Sequence, residues 1–139
     1  METTPTRQLP WSKGKVSDAL ISVRDMHIEY WAERGQVKAV RGVDFDIFPG
    51  ESLSLIGESG SGKTTLGLGI VRLLVKTADI TRGQVIYRQD GLMQDVLKLD
   101  QDALRHFRWQ GCAMVFQAAQ SAFNPVLRIR DQMYETVKA

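Results

Sequence analysis

The sequence has one cysteine, Cys112, and one asparagine, Asn124, among its 139 residues. A single cysteine excludes an intramolecular disulfide, and a reducing cytoplasm is the simplest compartment for it. One cysteine and two histidines, His27 and His106, do not make a Cys/His metal cluster. The lone asparagine precedes Pro125, so the Asn-Lys-x-Asp motif by which a GTPase reads its base is missing. There is no Gly-Gly pair and no Asp-Glu pair. No apolar run approaches the roughly 18 residues of a membrane span, and the first residues lack the apolar stretch of a signal peptide, so membrane association is expected only through a partner. Charge of one sign is also scarce. The net charge is +2, from 18 basic and 16 acidic residues interspersed along the chain, which gives no basic face for nucleic acid.

What is present centres on residues 57–64, GESGSGKT. Gly57, Gly62, Lys63 and Thr64 fit G-x-x-x-x-G-K-[ST], the Walker A or P-loop signature. Leu53, Leu55 and Ile56 form a short apolar run before it and predict a buried parallel strand. Leu66, Ile70, Leu73 and Leu74 recur at helical spacing after it. The chemistry behind the pattern is charge. A triphosphate concentrates negative charge, and backbone amides at a helix start, aided by the helix dipole, can face all of it. Gly57, Gly60 and Gly62 allow the backbone to wrap closely as an anion nest. Lys63 adds a point charge toward the β/γ-phosphates, and the Thr64 hydroxyl is suited to Mg²⁺. The expected ligand is a nucleoside triphosphate.

The length suits one small domain with a core. Residues 1–18 read as a mobile tail, in which Trp11 is either an anchor for a partner or incidental. Ile21, Val23, Met26, Ile28 and Tyr30 predict a strand with a bulge near Arg24-Asp25. Val37–Val40 resumes extended chain after a turn, and Val43, Phe45 and Ile47 alternate with Asp44 and Asp46 until Pro49-Gly50. Three short strands beside the P-loop strand suggest an antiparallel sheet. Tyr30 ends a strand, where its ring is suited equally to stacking on a base or to packing at a sheet edge; Trp31, of opposite parity, is the weaker candidate. Gly67 and Gly69 interrupt the P-loop helix, as close packing on a sheet would require.

Farther along, residues 83–87 predict a strand, with a polar turn at Asp90-Gly91 after it. Asp100 is placed to cap a helix over about 101–108, with Leu104 and Phe107 on its inner face and His106 near its solvated end. Cys112–Phe116 is a second apolar run, read as a parallel core strand with Gln117 at its carboxyl end. An amide there is either a plain loop residue or a group that ligates Mg²⁺ or orients water. Ile129, Met133 and Val137 start an amphipathic helix, and the chain stops at Ala139 without a cap, as if cut.

Together these residues resemble the amino-terminal part of an ABC transporter ATPase subunit, most closely the peptide/nickel importer subfamily with its dipeptide and oligopeptide permease ATPases. The resemblance rests on ISVRDMHIEY, on VKAVRGVDFDIFPGESLSLIGESGSGKTT, and on MVFQ followed by FNPV, and covers the chain from about Ala19 onward. It implies an α/β P-loop NTPase fold, with an antiparallel β subdomain and an incomplete parallel-sheet core. Residues 19–139 would run from Walker A to the Q-loop and the start of the helical subdomain. It implies that Tyr30 stacks on adenine and that Gly57, Glu58, Ser59, Gly60, Ser61, Gly62, Lys63, Thr64 and Thr65 cradle phosphate. Gln117 would be the Q-loop glutamine, reaching Mg²⁺ beside Thr64 and acting with Lys63 in catalysis. ATP and Mg²⁺ are the implied cofactors. Transmembrane permease subunits and a second ATP-binding subunit are the implied partners, at the cytoplasmic face of the membrane, with no nucleic acid.

Two departures stand out. After Gln117 the peptide-importer pattern usually continues Asp-Pro, whereas this chain has Ala118-Ala119-Gln120, a difference that bears on the transported solute and leaves nucleotide chemistry intact. The family's signature motif, Walker B carboxylates and H-loop histidine have no counterpart here, so weak Mg·ATP binding and negligible turnover are expected of this chain alone. Against the transport reading stand a small P-loop kinase and a soluble nucleotide-binding module that transports nothing.

Overall fold

A computed structural model of the chain describes residues 18–33, 35–116 and 123–138, the last three of these by backbone alone. The tail expected over 1–18 lies outside the described residues except for Asp18, as do Gln117 and the Ala118–Gln120 departure.

Four antiparallel strands make one sheet in the order β2-β1-β3-β4. β1 (Ile21–Ala32) is central, with β2 (Gly35–Ile47) on one side and β3 (Ala78–Gln89) on the other. β4 (Leu92–Asp95) returns along β3 through Asp90 and Gly91, both at positive φ (51° and 79°), which suits the twist of a two-residue hairpin. The bulge expected at Arg24-Asp25 is present. Pairing shifts register between Val23 and Met26, and Asp25 takes φ 46°. Gly83 crosses it so closely that a Cβ there would stand 2.8 Å from the Met26 Cα. Residues 37–40 and 43–47, expected as separate strands, are one continuous β2.

α1, which spans Lys63–Ile70, and the chain from Val96 to Gly111 supply the side chains that pack against the sheet. α1 follows the P-loop and packs on β1 and β2. A 3-10 turn (Val96–Lys98) leads into α2 (Gln101–His106), whose expected cap is made by Asp100 Oδ1 accepting from the Ala103 amide at 2.8 Å. α2 continues into a π-helical turn (Phe107–Gly111). The core between sheet and helices comprises Val23, Met26, Ile28, Val85 and Val96, with Leu66, Val71, Leu104 and Phe107 from the helical side. Tyr87 and Phe107 meet edge-to-face at 5.0 Å. α3 (Ile129–Lys138) begins where the sequence predicts, and its Ile129, Met133 and Tyr134 side chains are exposed.

Two expectations are corrected. Residues 51–58 and 112–116 form no strand, so the parallel part of the expected sheet is not found among the described residues. Ile56 is 95% exposed and Val115 89% exposed. A parallel strand is stable only when neighbours satisfy its amides and carbonyls and cover both its faces. The hydrogen-bonded sheet among the described residues is the antiparallel one, and it offers these two segments no ladder. Among the described residues, no helix is long and apolar enough to cross a membrane.

Candidate functional site

The loop ahead of α1 has the geometry of an anion cradle. Gly60 and Gly62 take φ of 82° and 92°, and Gly62 is the residue from which α1 starts, with no side chain capping the helix. The first intrahelical bond is Leu66 N to Gly62 O at 2.8 Å, so the amides of Lys63, Thr64 and Thr65 have no acceptor within the helix. Ser61 N is turned inward, to Glu58 O at 3.2 Å. Uncapped amides at the positive end of a helix dipole are the donors a phosphate takes.

Lys63 fixes the position of the charge. Its Nζ donates to Gly57 O at 2.8 Å, to Glu58 O at 2.6 Å and to Ser61 Oγ at 3.1 Å. All three ammonium donors therefore point into the loop, and the cation is held across its mouth instead of trailing into solvent. Space also bears on the glycines that the motif specifies, lightly at Gly57, which faces a side-chain tip, and strictly at Gly62, which faces backbone. A Cβ on Gly57 would stand 2.9 Å from Ser61 Oγ, and one on Gly62 would stand 2.6 Å from the carbonyl oxygen of Ala39. The second contact shows a role for β2 that the motif does not reveal: its backbone is the wall against which the loop closes.

The structure brings Tyr30 to this loop. Its hydroxyl lies 3.1 Å from Thr65 Oγ1, 35 residues away in the chain, at the end of β1. Trp31, on the opposite face, is half exposed and donates its amide to Thr77 O. Parity along β1 thus separates the two aromatics as expected. Thr64 is exposed at the loop, on the same helical turn as the uncapped amides. Gln117 lies outside the described residues, so its approach to Thr64 is not defined.

Close approach of α1 to the sheet sets where the loop sits. A Cβ on Gly69 would fall 2.5 Å from Ile28 Cδ1, and one on Gly67 would touch Met114 Cε at 3.7 Å. Cys112, half-buried beside this contact, has its thiol pKa raised above the ordinary 9.0 by burial. At the far end of α1, Arg108 donates from Nε to Val71 O at 2.8 Å and from Nη2 to Arg72 O at 2.5 Å. Burial first, and the neighbouring Arg72 second, push the Arg108 pKa down from its usual value. Neither arginine carries a sequence signal; only the turn of the chain around α1 brings them together.

Comparisons with known proteins give the family. The family model described as ABC transporter matches residues 40–139. A dipeptide transport ATP-binding protein of Bacillus subtilis (strain 168) is 33% identical over 121 residues, 86% of this chain and 35% of the relative. A probable peptide ABC transporter ATP-binding protein of Sinorhizobium fredii is 35% identical over 123 residues, covering 88% of this chain and 36% of that one. A putative peptide import ATP-binding protein of Brucella ovis is 35% identical over 121 residues, 86% of this chain and 36% of its own length. The chain spans about a third of the length of the curated relatives it matches. A P-loop fold built for ATP follows from the family match. On the match over residues 40–139 and the loop at 57–65, the chain belongs to the ABC transporter family.

Proposed function

We propose that this chain is the nucleotide-binding part of an ATP-binding subunit that couples ATP binding and hydrolysis to transport of peptides or a similar solute. Residues 19–139 constitute the amino-terminal part of its ATPase domain. The subunit works at the cytoplasmic face of the membrane with transmembrane permease subunits and a second ATP-binding subunit. The observation that carries the reading is Lys63, held by Gly57 O, Glu58 O and Ser61 Oγ across a glycine loop that opens onto three uncapped amides. The peptide assignment is supported by the names borne by the relatives, two of which are described as acting in peptide import or dipeptide transport.

In this reading the amides of Lys63, Thr64 and Thr65 orient the phosphates, and the Lys63 ammonium offsets their charge. The Tyr30 ring stacks on the adenine, steadied through its hydroxyl by Thr65. The Thr64 hydroxyl and the Gln117 amide oxygen would hold Mg²⁺, which when bound neutralises charge on the phosphate oxygens. Gln117 also acts with Lys63 during hydrolysis. Phosphoryl transfer needs the phosphate cradle and a group that orients water acting together, and the sequence contains no Asp-Glu pair to supply the second.

The expected behaviour of this chain alone is therefore weak Mg·ATP binding with negligible turnover. Titration calorimetry should show binding that falls at least about tenfold in Lys63→Ala, equivalent to roughly 1.4 kcal/mol. Equal affinity in the two proteins, or ATP turnover that disappears in Lys63→Ala, would contradict this account.

A further inference from the structure

The carboxyl end of α1 is closed in an unusual way. Leu73 N reaches Leu68 O at 2.8 Å and Arg72 N reaches Gly69 O at 3.1 Å, the paired bonds of a Schellman motif. The residue that must take the left-handed conformation there is usually glycine. Here it is Arg72, at φ 54°. An L side chain is disfavoured in that conformation relative to glycine, so a contact made by the side chain is needed to offset the strain. Arg72 Nη1 donates to Leu99 O at 2.7 Å and to Val96 O at 3.3 Å, on the chain that enters α2.

The contact is returned from the other side. Arg108, in the π-helical turn, donates to the Val71 and Arg72 carbonyls, which the end of α1 leaves without helical partners. A guanidinium presents two donors in a fixed plane, so one side chain spans both carbonyls, which a lysine ammonium cannot do with the same geometry. The π-helical turn closes with Cys112 N on Phe107 O at 2.8 Å, and the chain then runs extended through Met114, which lies against α1 at Gly67. In sequence that segment ends at Gln117. The same eight-residue helix therefore carries the phosphate amides at one end and, at the other, the anchor of the chain that precedes Gln117.

We propose that Arg108 is a positioning residue: with Arg72 it locks the carboxyl end of α1 to the Phe107–Phe116 segment, so that phosphate occupancy at the Lys63 loop shifts the chain leading to Gln117. This rests on the nucleotide-site reading above and names the contact through which that site acts on its surroundings. Because α1 is short and packed on Ile28 through Gly69, a displacement at its first turn is carried to its last turn and not absorbed within it.

Trp109, beside Arg108 and half exposed, is a built-in reporter. In the 139-residue chain bearing W11F and W31F it is the sole tryptophan. Mg·ATP is expected to shift its emission with the midpoint that calorimetry gives for binding. Arg108→Gln should reduce that shift by about fivefold or more while changing affinity by less than about threefold, and Arg108→Lys should recover part of it. Leu104→Val, which loosens the same packing and leaves both arginines intact, should keep the shift. An undiminished shift in Arg108→Gln, no shift in the parent despite binding, a loss of affinity matching the loss of shift, or equal loss in Leu104→Val each overturns the inference and leaves the nucleotide site standing. Failure of the parent to bind Mg·ATP overturns the nucleotide-site reading and this inference with it.

Discussion

Gly62 meets two demands that no other residue satisfies together. Its φ of 92° disfavours any side chain, and a Cβ would stand 2.6 Å from the Ala39 carbonyl oxygen. Gly62→Ala is expected to cost about 1–3 kcal/mol in stability, because a backbone wall cannot step aside as a side-chain tip can. Chemical denaturation measures it, and a midpoint equal to the parent's would mean that the loop and β2 are not in contact. Cys112 makes a different residue-scale prediction. Burial raises its thiol pKa above 9.0, so the folded chain holds the proton to higher pH than the unfolded chain does. The stability this contributes is complete below the unfolded-state value and is lost as pH rises from there through the folded value. Between about pH 8 and pH 10 the denaturation midpoint of the parent should fall more steeply than that of Cys112→Ser, whose hydroxyl does not titrate in that range. Parallel pH profiles would show the thiol to be as solvated in the folded chain as in the unfolded one.

At the scale of elements, the interval between α1 and the sheet is set by one missing methyl group. Gly69 faces Ile28 Cδ1, which would lie 2.5 Å from a Cβ, with Met26 Cε at 4.0 Å. Gly69→Ala should therefore destabilise by about 1–3 kcal/mol, although alanine is the better helix former. Ile28→Val removes the Cδ1 that the new methyl would strike. In the double variant the two losses should not add, since the cavity made by one is filled by the other. A double-mutant cycle by thermal melting decides it, and strict additivity would place the helix farther from β1 than described. The Arg24–Asp46 pair works at the same scale. Arg24 Nη2 reaches both Asp46 oxygens at 2.6 and 2.8 Å, Ser22 Oγ reaches one at 2.6 Å, and Arg24 Nη1 reaches the Phe45 carbonyl. A carboxylate so fully buried and so fully bonded pins β1 to β2 just ahead of the bulge that redirects β1 toward the P-loop helix.

Across the whole molecule, the antiparallel sheet and its helical cover share one core, against which Cys112 and Met114 pack, while the apolar run at 53–56 and the side chains of Val115 and Phe116 are left exposed. Leu53, Leu55, Ile56, Val115 and Phe116 are exposed, as are Val126, Leu127, Ile129 and Met133 farther on. Apolar surface of that extent favours association. Sedimentation velocity should show the weight-average mass of this chain rising with concentration, and Ile56→Lys with Val115→Lys should suppress the rise. A monomer at all concentrations would mean that these side chains find cover within the chain.

The sequence by itself determined the glycine loop that leads into α1, because such a backbone turn depends on glycine, lysine and threonine at fixed local spacing and on little else. It likewise determined the Asp100 cap, the Asp90-Gly91 turn and the bulge at Arg24-Asp25, all of which are local backbone chemistry. The apolar runs at 53–56 and 112–116 are legible as strand-formers, yet whether a strand forms depends on neighbours that no local pattern supplies. Only tertiary structure decided that Tyr30 meets Thr65, that Ala39 closes on Gly62, and that Arg72 and Arg108 join the two ends of one helical layer. Each of these contacts links residues at least 23 positions apart, and their partners are chosen by how β1, β2 and α1 pack, a choice that no short stretch of sequence contains.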